Sequence, residues 1–277
     1  MKILATLPVI VLGMLGSSWG DISPMDTDPG RTVVVAELFT SEGCSSCPPA
    51  DALLRRLLSK QPVEGVEIAG LGNHVDYWDR LGWRDPFSSP VFSERQVSYD
   101  TAVFRSKGAY TPQLVVDGNL QCVASDEAAV RALLIEAAAR PKGTILLQKG
   151  VVNATSATVT IDVRMPANVG RRGMADIVVA VTEDDLATQV QRGENRGRRL
   201  LHAAVVRRFA HAAQLGGDEH EATVTATVAL DPAWIAQNVR LMAFVQEQKS
   251  RRIIAASSSM GLSPLAATRS GPSDAGR

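Results

Sequence analysis

Aromatic residues make up only 5% of this 277-residue chain, cysteine occurs three times, and neither sign of charge is in excess, with 29 Lys+Arg against 29 Asp+Glu. The balanced charge removes the electrostatic footprint expected of a nucleic-acid-binding protein or of one that docks on an acidic membrane. No segment after residue 20 is long and apolar enough for a spanning helix, which needs about 20 such residues. A hydrophobic content of 45% excludes the disordered class. The length suits one large domain or two modest ones.

Because aromatics are scarce, their crowding at Tyr77, Trp78, Trp83, Phe87 and Phe92 marks a local construction. The first residues have the layout of a secretory signal peptide: Lys2, an apolar run over 3–15, then Ser18-Trp19-Gly20 before Asp21. Residues 1–20 are therefore expected to be removed, leaving an exported protein, periplasmic or secreted, with no membrane span. Disulfides persist in those compartments. Cys44 and Cys47 form a C-x-x-C pair there, and Cys122 leaves an odd count.

The β-branched run over 32–39 reads as a strand buried on both faces. Pro48 and Pro49, tolerated only in a first helical turn, precede Leu53, Leu54, Leu57 and Leu58 at helical spacing, so a helix begins around 44–49. The cysteines thus sit at a strand-to-helix junction. A second strand follows over 66–71 and a second helix over 91–105. Segments 113–116 and 119–123 flank Asp117-Gly118, a two-residue hairpin signal. Ser125 is placed to cap a third helix that ends at Arg140-Pro141. The order is β-α-β-α-β-β-α.

That order, with C-x-x-C at the first strand-to-helix turn and Thr111-Pro112 before the hairpin, resembles the thioredoxin fold. Three strings narrow the resemblance: residues 37–51 around Glu42-Gly43-Cys44-Ser45-Ser46-Cys47, residues 74–87 from His74-Val75-Asp76-Tyr77-Trp78 to Asp85-Pro86-Phe87, and Tyr110-Thr111-Pro112-Gln113 with Val116-Asp117-Gly118. They are similar to the exported thioredoxin-like proteins of the domain-of-unknown-function family numbered 1223. The resemblance implies a cis peptide bond before Pro112, facing the cysteines.

On this reading Cys44 is an exposed, low-pKa nucleophile at a helix N-terminus, and Cys47 the resolving thiol. Pro112 offers a backbone edge to a substrate, and His74, at the rim where strand two ends, assists proton transfer. Thr111, Tyr77 and Trp78 are the expected substrate-binding residues. The chemistry is that of a thiol-disulfide oxidoreductase acting on a protein or small-molecule thiol or disulfide, with no cofactor. Other readings of the same residues are a structural disulfide in a binding protein, a packed aromatic loop with His74 merely hydrogen-bonded, and a copper(I) carrier using two thiolates and the imidazole. No second C-x-x-C or close histidine pair completes a zinc site.

Hairpin arithmetic sets Gln113 opposite Cys122, which places Cys122 beside Pro112 as a buried free thiol. Beyond Pro141, spaced segments over 144–148, 156–163, 176–181, 222–229, 239–246 and 253–257 suggest a β-sandwich. The expected layout is an α/β thioredoxin-like domain over 31–141, a mostly β, sandwich-like domain over 142–262, and a disordered tail over 263–277. The string Glu194-Asn195-Arg196-Gly197-Arg198-Arg199-Leu200-Leu201-His202 resembles the same family's C-terminal half. Its arginines, with Arg207 and Arg208, read as a solvated crossover, or as a surface that meets an acidic partner or the redox cleft. His202, His211 and His220 are too widely spaced for a metal-binding helix face.

Overall fold

The computed structural model describes residues 31–106, 108–170 and 173–262. The expected signal peptide and tail lie outside the described residues. The chain runs β1 (Thr32–Thr40), α1 (Pro48–Lys60), β2 (Val66–His74), α2 (Pro90–Tyr99), β3 (Gln113–Val116), β4 (Leu120–Val123) and α3 (Glu127–Ala138). It continues through β5 (Gly143–Val152), β6 (Ser156–Arg164), β7 (Ala175–Glu183), β8 (Leu186–Gln189), β9 (Arg199–His202), β10 (Val205–Leu215), β11 (Glu221–Ala229), β12 (Val239–Glu247), β13 (Ile253–Ala256) and β14 (Met260–Gly261).

These strands do not divide into a thioredoxin-like α/β domain and a separate β-sandwich. They form one mixed 12-stranded sheet in the order β11-β6-β5-β13-β12-β7-β10-β2-β1-β3-β4, with β14 beside β12, plus a two-stranded β8-β9 ribbon. The correction rests on β10, in a segment the sequence analysis took for a crossover. It runs antiparallel to β7 along its length and meets β2 in parallel at Val205 and Gly72. The Gly72 amide donates to the Ala204 carbonyl at 2.7 Å. A Cβ on Gly72 would lie 3.2 Å from the Ala203 carbonyl oxygen, so glycine permits this approach. Two register shifts in β10, between Val206 and Arg208 and between His211 and Ala213, break the alternation that would have marked it as a strand.

Strand periodicity explains the layers. Val34, Ala36 and Leu38 of β1 face α1 and α3, where Leu53, Leu54, Leu57, Val130 and Leu134 complete a buried cluster. Val35 points to the opposite face and packs with Leu71, Phe92, Met242 and Phe244, so that core is shared between β1, α2 and β12. Glu37 also lies on that face. Its carboxylate is buried and held by Arg95 of α2 at 2.6 Å, while the Arg95 guanidinium lies 4.7 Å from the Phe209 ring centroid of β10. A second buried pair, Lys142 and Asp117 at 2.6 Å, fixes the chain as it enters β5.

Several expectations shift by a residue or more. The β3-β4 loop spans Asp117, Gly118 and Asn119, so Val116 pairs with Leu120 and Cys122 lies opposite Leu114. Asp117 and Gly118 adopt positive φ, and a Cβ on Gly118 would fall 1.9 Å from the Arg251 carbonyl oxygen. The tertiary contact, rather than the local turn preference, decides the loop. Cys122 consequently packs against the α1 and α3 layer instead of standing beside Pro112. Asp126, not Ser125, caps α3 by accepting from the Ala129 amide, and α2 ends at Tyr99, followed by a π-helical turn over Asp100–Phe104.

Candidate functional site

The sheet brings the C-terminal ends of β1 and β2 to one edge, as parallel strands require. Beyond β1 the chain turns over Ser41 to Ser46 and enters α1 with Cys47 as N-cap and prolines in the first two helical positions. Cys44 and Cys47 are joined as a disulfide, their Cα atoms 5.5 Å apart. The Thr111-Pro112 bond is cis, and the Thr111 carbonyl oxygen lies 4.0 Å from Cys44 Sγ. The Ser46 hydroxyl is 3.3 Å from the same sulfur.

Cys44 is not exposed. Both cysteines are fully buried, beneath the exposed Ser45 and Ser46 and a loop that joins β8 to β9. Asn195 of that loop is itself buried and donates through Nδ2 to the carbonyls of Glu42, at 2.8 Å, and Cys44, at 2.9 Å. Its Oδ1 accepts from Arg198. The neighbouring Glu194 carboxylate accepts from the Ser45 amide at 3.0 Å, and the Ser45 side chain, followed by that amide, holds its pKa below the usual range.

A cluster of buried ionisable groups adjoins the cysteines: Glu42 lies two residues before Cys44, and the Asp51 amide donates to the Cys47 carbonyl at 3.1 Å. Glu42 accepts from Trp83 Nε1 at 2.8 Å and pairs with His202 Nε2 at 3.1 Å. His202 Nδ1 is 3.9 Å from Asp51, whose other oxygen accepts from the Thr40 hydroxyl. Burial alone would push the His202 pKa down, but Asp51 and Glu42 outweigh it and raise it to about 9. His74 Nδ1 pairs with Asp85 at 2.7 Å, and its ring stands edge-on to His202 with centroids 4.8 Å apart. Burial works to raise the Asp85 pKa, yet the charge and hydrogen bond of His74 keep it below the ordinary value. Asp85 also accepts from the Glu42 amide at 2.8 Å, which ties the two pairs together.

The structure thus brings Cys44, Cys47, Thr111 and Pro112 together and sets His74 in the cluster behind them. Trp78 Nε1 donates to the Thr111 hydroxyl at 2.8 Å, and the Trp78 Cβ lies against Gly43. Tyr77 is directed to Gln96 at 3.1 Å, with its phenol pushed up to about 12 by burial. Glu42, Asp51, Asp85 and Asn195 carry no local sequence signal that marks them as members of the site, and His202 reads from the sequence only as a candidate metal ligand. The first four all lie inside the strings that carry the family resemblance, but nothing in their spacing shows that they meet. Cys122 stands outside the cluster, its thiol raised to about 11 by burial and then by Asp126. His74, which a copper(I) site would need, is engaged by Asp85, and among the described residues no group of three or more His, Cys, Asp or Glu side chains is arranged to hold a metal ion.

Residues 35–246 match the family described as protein of unknown function (DUF1223). The chain belongs to that family. It is similar to the crystal structure of a protein from Agrobacterium tumefaciens, at 26% identity and a TM-score of 0.64, over 84% of this chain and 96% of that one. It is also similar to HBP35 of Porphyromonas gingivalis, at 16% identity and a TM-score of 0.60, over 86% of this chain and 78% of that one. The second likeness is one of fold, and at that coverage it extends over most of the sheet. No curated protein sequence matches the chain.

Proposed function

We propose that the protein is a thiol-disulfide redox protein of an extracytoplasmic compartment, with Cys44 and Cys47 as its centre and the loop carrying Asn195 as a cover. The observation that carries this reading is the cluster of Glu42, Asp51, His74, Asp85 and His202 adjoining the cysteines. Buried charges are costly to desolvate, and a bond serving only to cross-link two residues three apart gains nothing from them. Asp51 lies one helical turn after Cys47, on the same face of α1, and it and His202 form an acid-base pair on that face.

Written as oxidation of a dithiol, a substrate thiolate attacks Cys44 Sγ, the Cys44-Cys47 bond breaks, and Cys47 leaves as a thiolate that takes up a proton. The second substrate thiol then attacks the mixed disulfide, forming the substrate's own disulfide and releasing Cys44. Two electrons pass to the protein. The reverse sequence reduces a disulfide. Because sulfur exchange needs access along the S–S axis, each direction requires the Asn195 loop to move.

The complete burial of both cysteines favours a second reading, a structural disulfide. Thiol trapping of the purified Cys122→Ala protein across a glutathione series separates the two. A reversible transition in that range, with the fold retained in the reduced form, supports the redox centre. A bond that resists the whole series, or whose reduction unfolds the protein, assigns it a structural role.

A further inference from the structure

Beside the disulfide, where β9 crosses the first turns of α1, lies a cavity of about 210 Å³. Pro48, directly after Cys47, forms one wall, with Asp51 and Arg55 from α1 and Arg198, Arg199 and Leu200 from the β9 side. The Arg55 and Arg199 side chains have neither an ion pair nor a hydrogen bond among the described residues, although both carry donors in a planar fork suited to a carboxylate. Arg198 spends one donor on Asn195 and keeps the rest. Asp51 is turned inward, to Thr40 and His202, so it does not neutralise the arginines. The two prolines that open α1 carry no N–H, and the attraction for an anion here therefore comes from side chains and not from the helix end.

We infer that this cavity is the substrate subsite of the redox centre and takes a carboxylate carried on a short aliphatic stem, which makes the preferred partner an acidic thiol or disulfide. The inference rests on the redox reading above. The charge is supplied by Arg55, Arg198 and Arg199, and the stem by contact with Pro48 and Leu200. At roughly 30 Å³ per water the space holds about seven waters, enough for one acidic side chain with a few waters beside it and well below a drug-sized pocket. Neither cysteine lines the cavity, and its link to the redox centre is Pro48, which directly follows Cys47 and forms part of the wall.

The test uses two measurements on the Cys122→Ala protein. In the first, the reduced protein is mixed with 3,3′-dithiodipropionate, bis(2-hydroxyethyl) disulfide or cystamine, which carry two negative, no and two positive charges. Cys44 attacks one disulfide sulfur and expels a thiol, then Cys47 displaces the second, so two electrons leave the protein and two small thiols form. The dianion is expected to react about tenfold faster than the neutral compound at low ionic strength, and cystamine more slowly still. That ranking should collapse in Arg55→Gln/Arg199→Gln. In the second, glutarate, which has no sulfur, is titrated into the oxidised protein by calorimetry, with heat of binding expected for the parent and lost in the double variant. Glutarate binding without reaction of any disulfide would sink the redox reading and leave the anion site standing. Reaction of all three disulfides at similar rates, with no glutarate binding, would sink the subsite and leave the redox reading intact.

Discussion

The Asn195 side chain donates a 2.9 Å hydrogen bond to the Cys44 carbonyl across 151 residues of chain. With the companion bond to Glu42 it closes a loop over a disulfide that would otherwise sit at an open sheet edge. A short, polar, two-point latch of this kind holds by a few kcal/mol at most, which is the range in which a cover can open without unfolding its base.

Removing the latch should therefore expose the sulfurs. In Asn195→Ala, loss of two hydrogen bonds worth about 1 kcal/mol each raises the open fraction by roughly 30-fold. Reduction of the Cys44-Cys47 bond by dithiothreitol, followed by quenched thiol alkylation, should accelerate by about that factor, with the global melting temperature lowered by only about 4 to 8 °C. An unchanged reduction rate would falsify the assignment of this loop as the cover.

Glu194 places a negative charge beside the loop between the cysteines. A like charge disfavours a thiolate, so in Glu194→Gln the Cys44 pKa of the reduced protein should fall. Because Glu194 is exposed, the shift is small at low salt and disappears at high salt. Alkylation rates measured across pH at two ionic strengths provide the check.

His202 gives stability a pH dependence on the alkaline side. Its folded pKa of about 9 stands above the unfolded value near 6.5, so the gain is fully present below pH ~6.5 and is lost as pH rises through about 9. The shift corresponds to about 3 kcal/mol over that window. His202→Gln should flatten the urea midpoint between pH 6.5 and 9, and it should also lower it throughout, because Glu42 and Asp51 remain buried without their cation.

Gly118 is the most demanding backbone position in the turn it occupies. Alanine there meets both an unfavourable φ of 75° and the Arg251 carbonyl oxygen. Gly118→Ala should cost about 2 to 3 kcal/mol or more, seen as a lowered midpoint in chemical denaturation. The same substitution at Gly65, also at positive φ but with open space around it, should cost less.

Local rules made the first part of the chain legible. The Pro48-Pro49 pair, the leucine spacing of α1 and the apolar run of β1 gave the strand-to-helix turn, and with it the place of the cysteines. The cis bond before Pro112 came from the family resemblance. What the sequence did not disclose is what depends on distant partners. The alternation in β10 is broken by its register shifts, so its role in fusing the sheet was hidden. His202 and Asn195 lie near a tract dense in arginine that reads as solvated surface, and only the fold carries them to Glu42 and Cys44. The burial of Cys44 was missed for the same reason: its cover comes from another part of the chain.

The single continuous sheet also sets an order of assembly on a chain made from its N-terminus. Cys44 and Cys47 are separated by two residues and can pair as soon as they emerge, whereas the loop that covers them follows some 150 residues later. The sheet itself waits longer still, because β12 and β13, among the last strands to appear, lie in its middle between β5 and β7. Throughout synthesis and any passage across a membrane, the sulfurs of a nascent chain are thus open to whatever oxidant or thiol surrounds them, and they are sealed only once the distal strands have arrived.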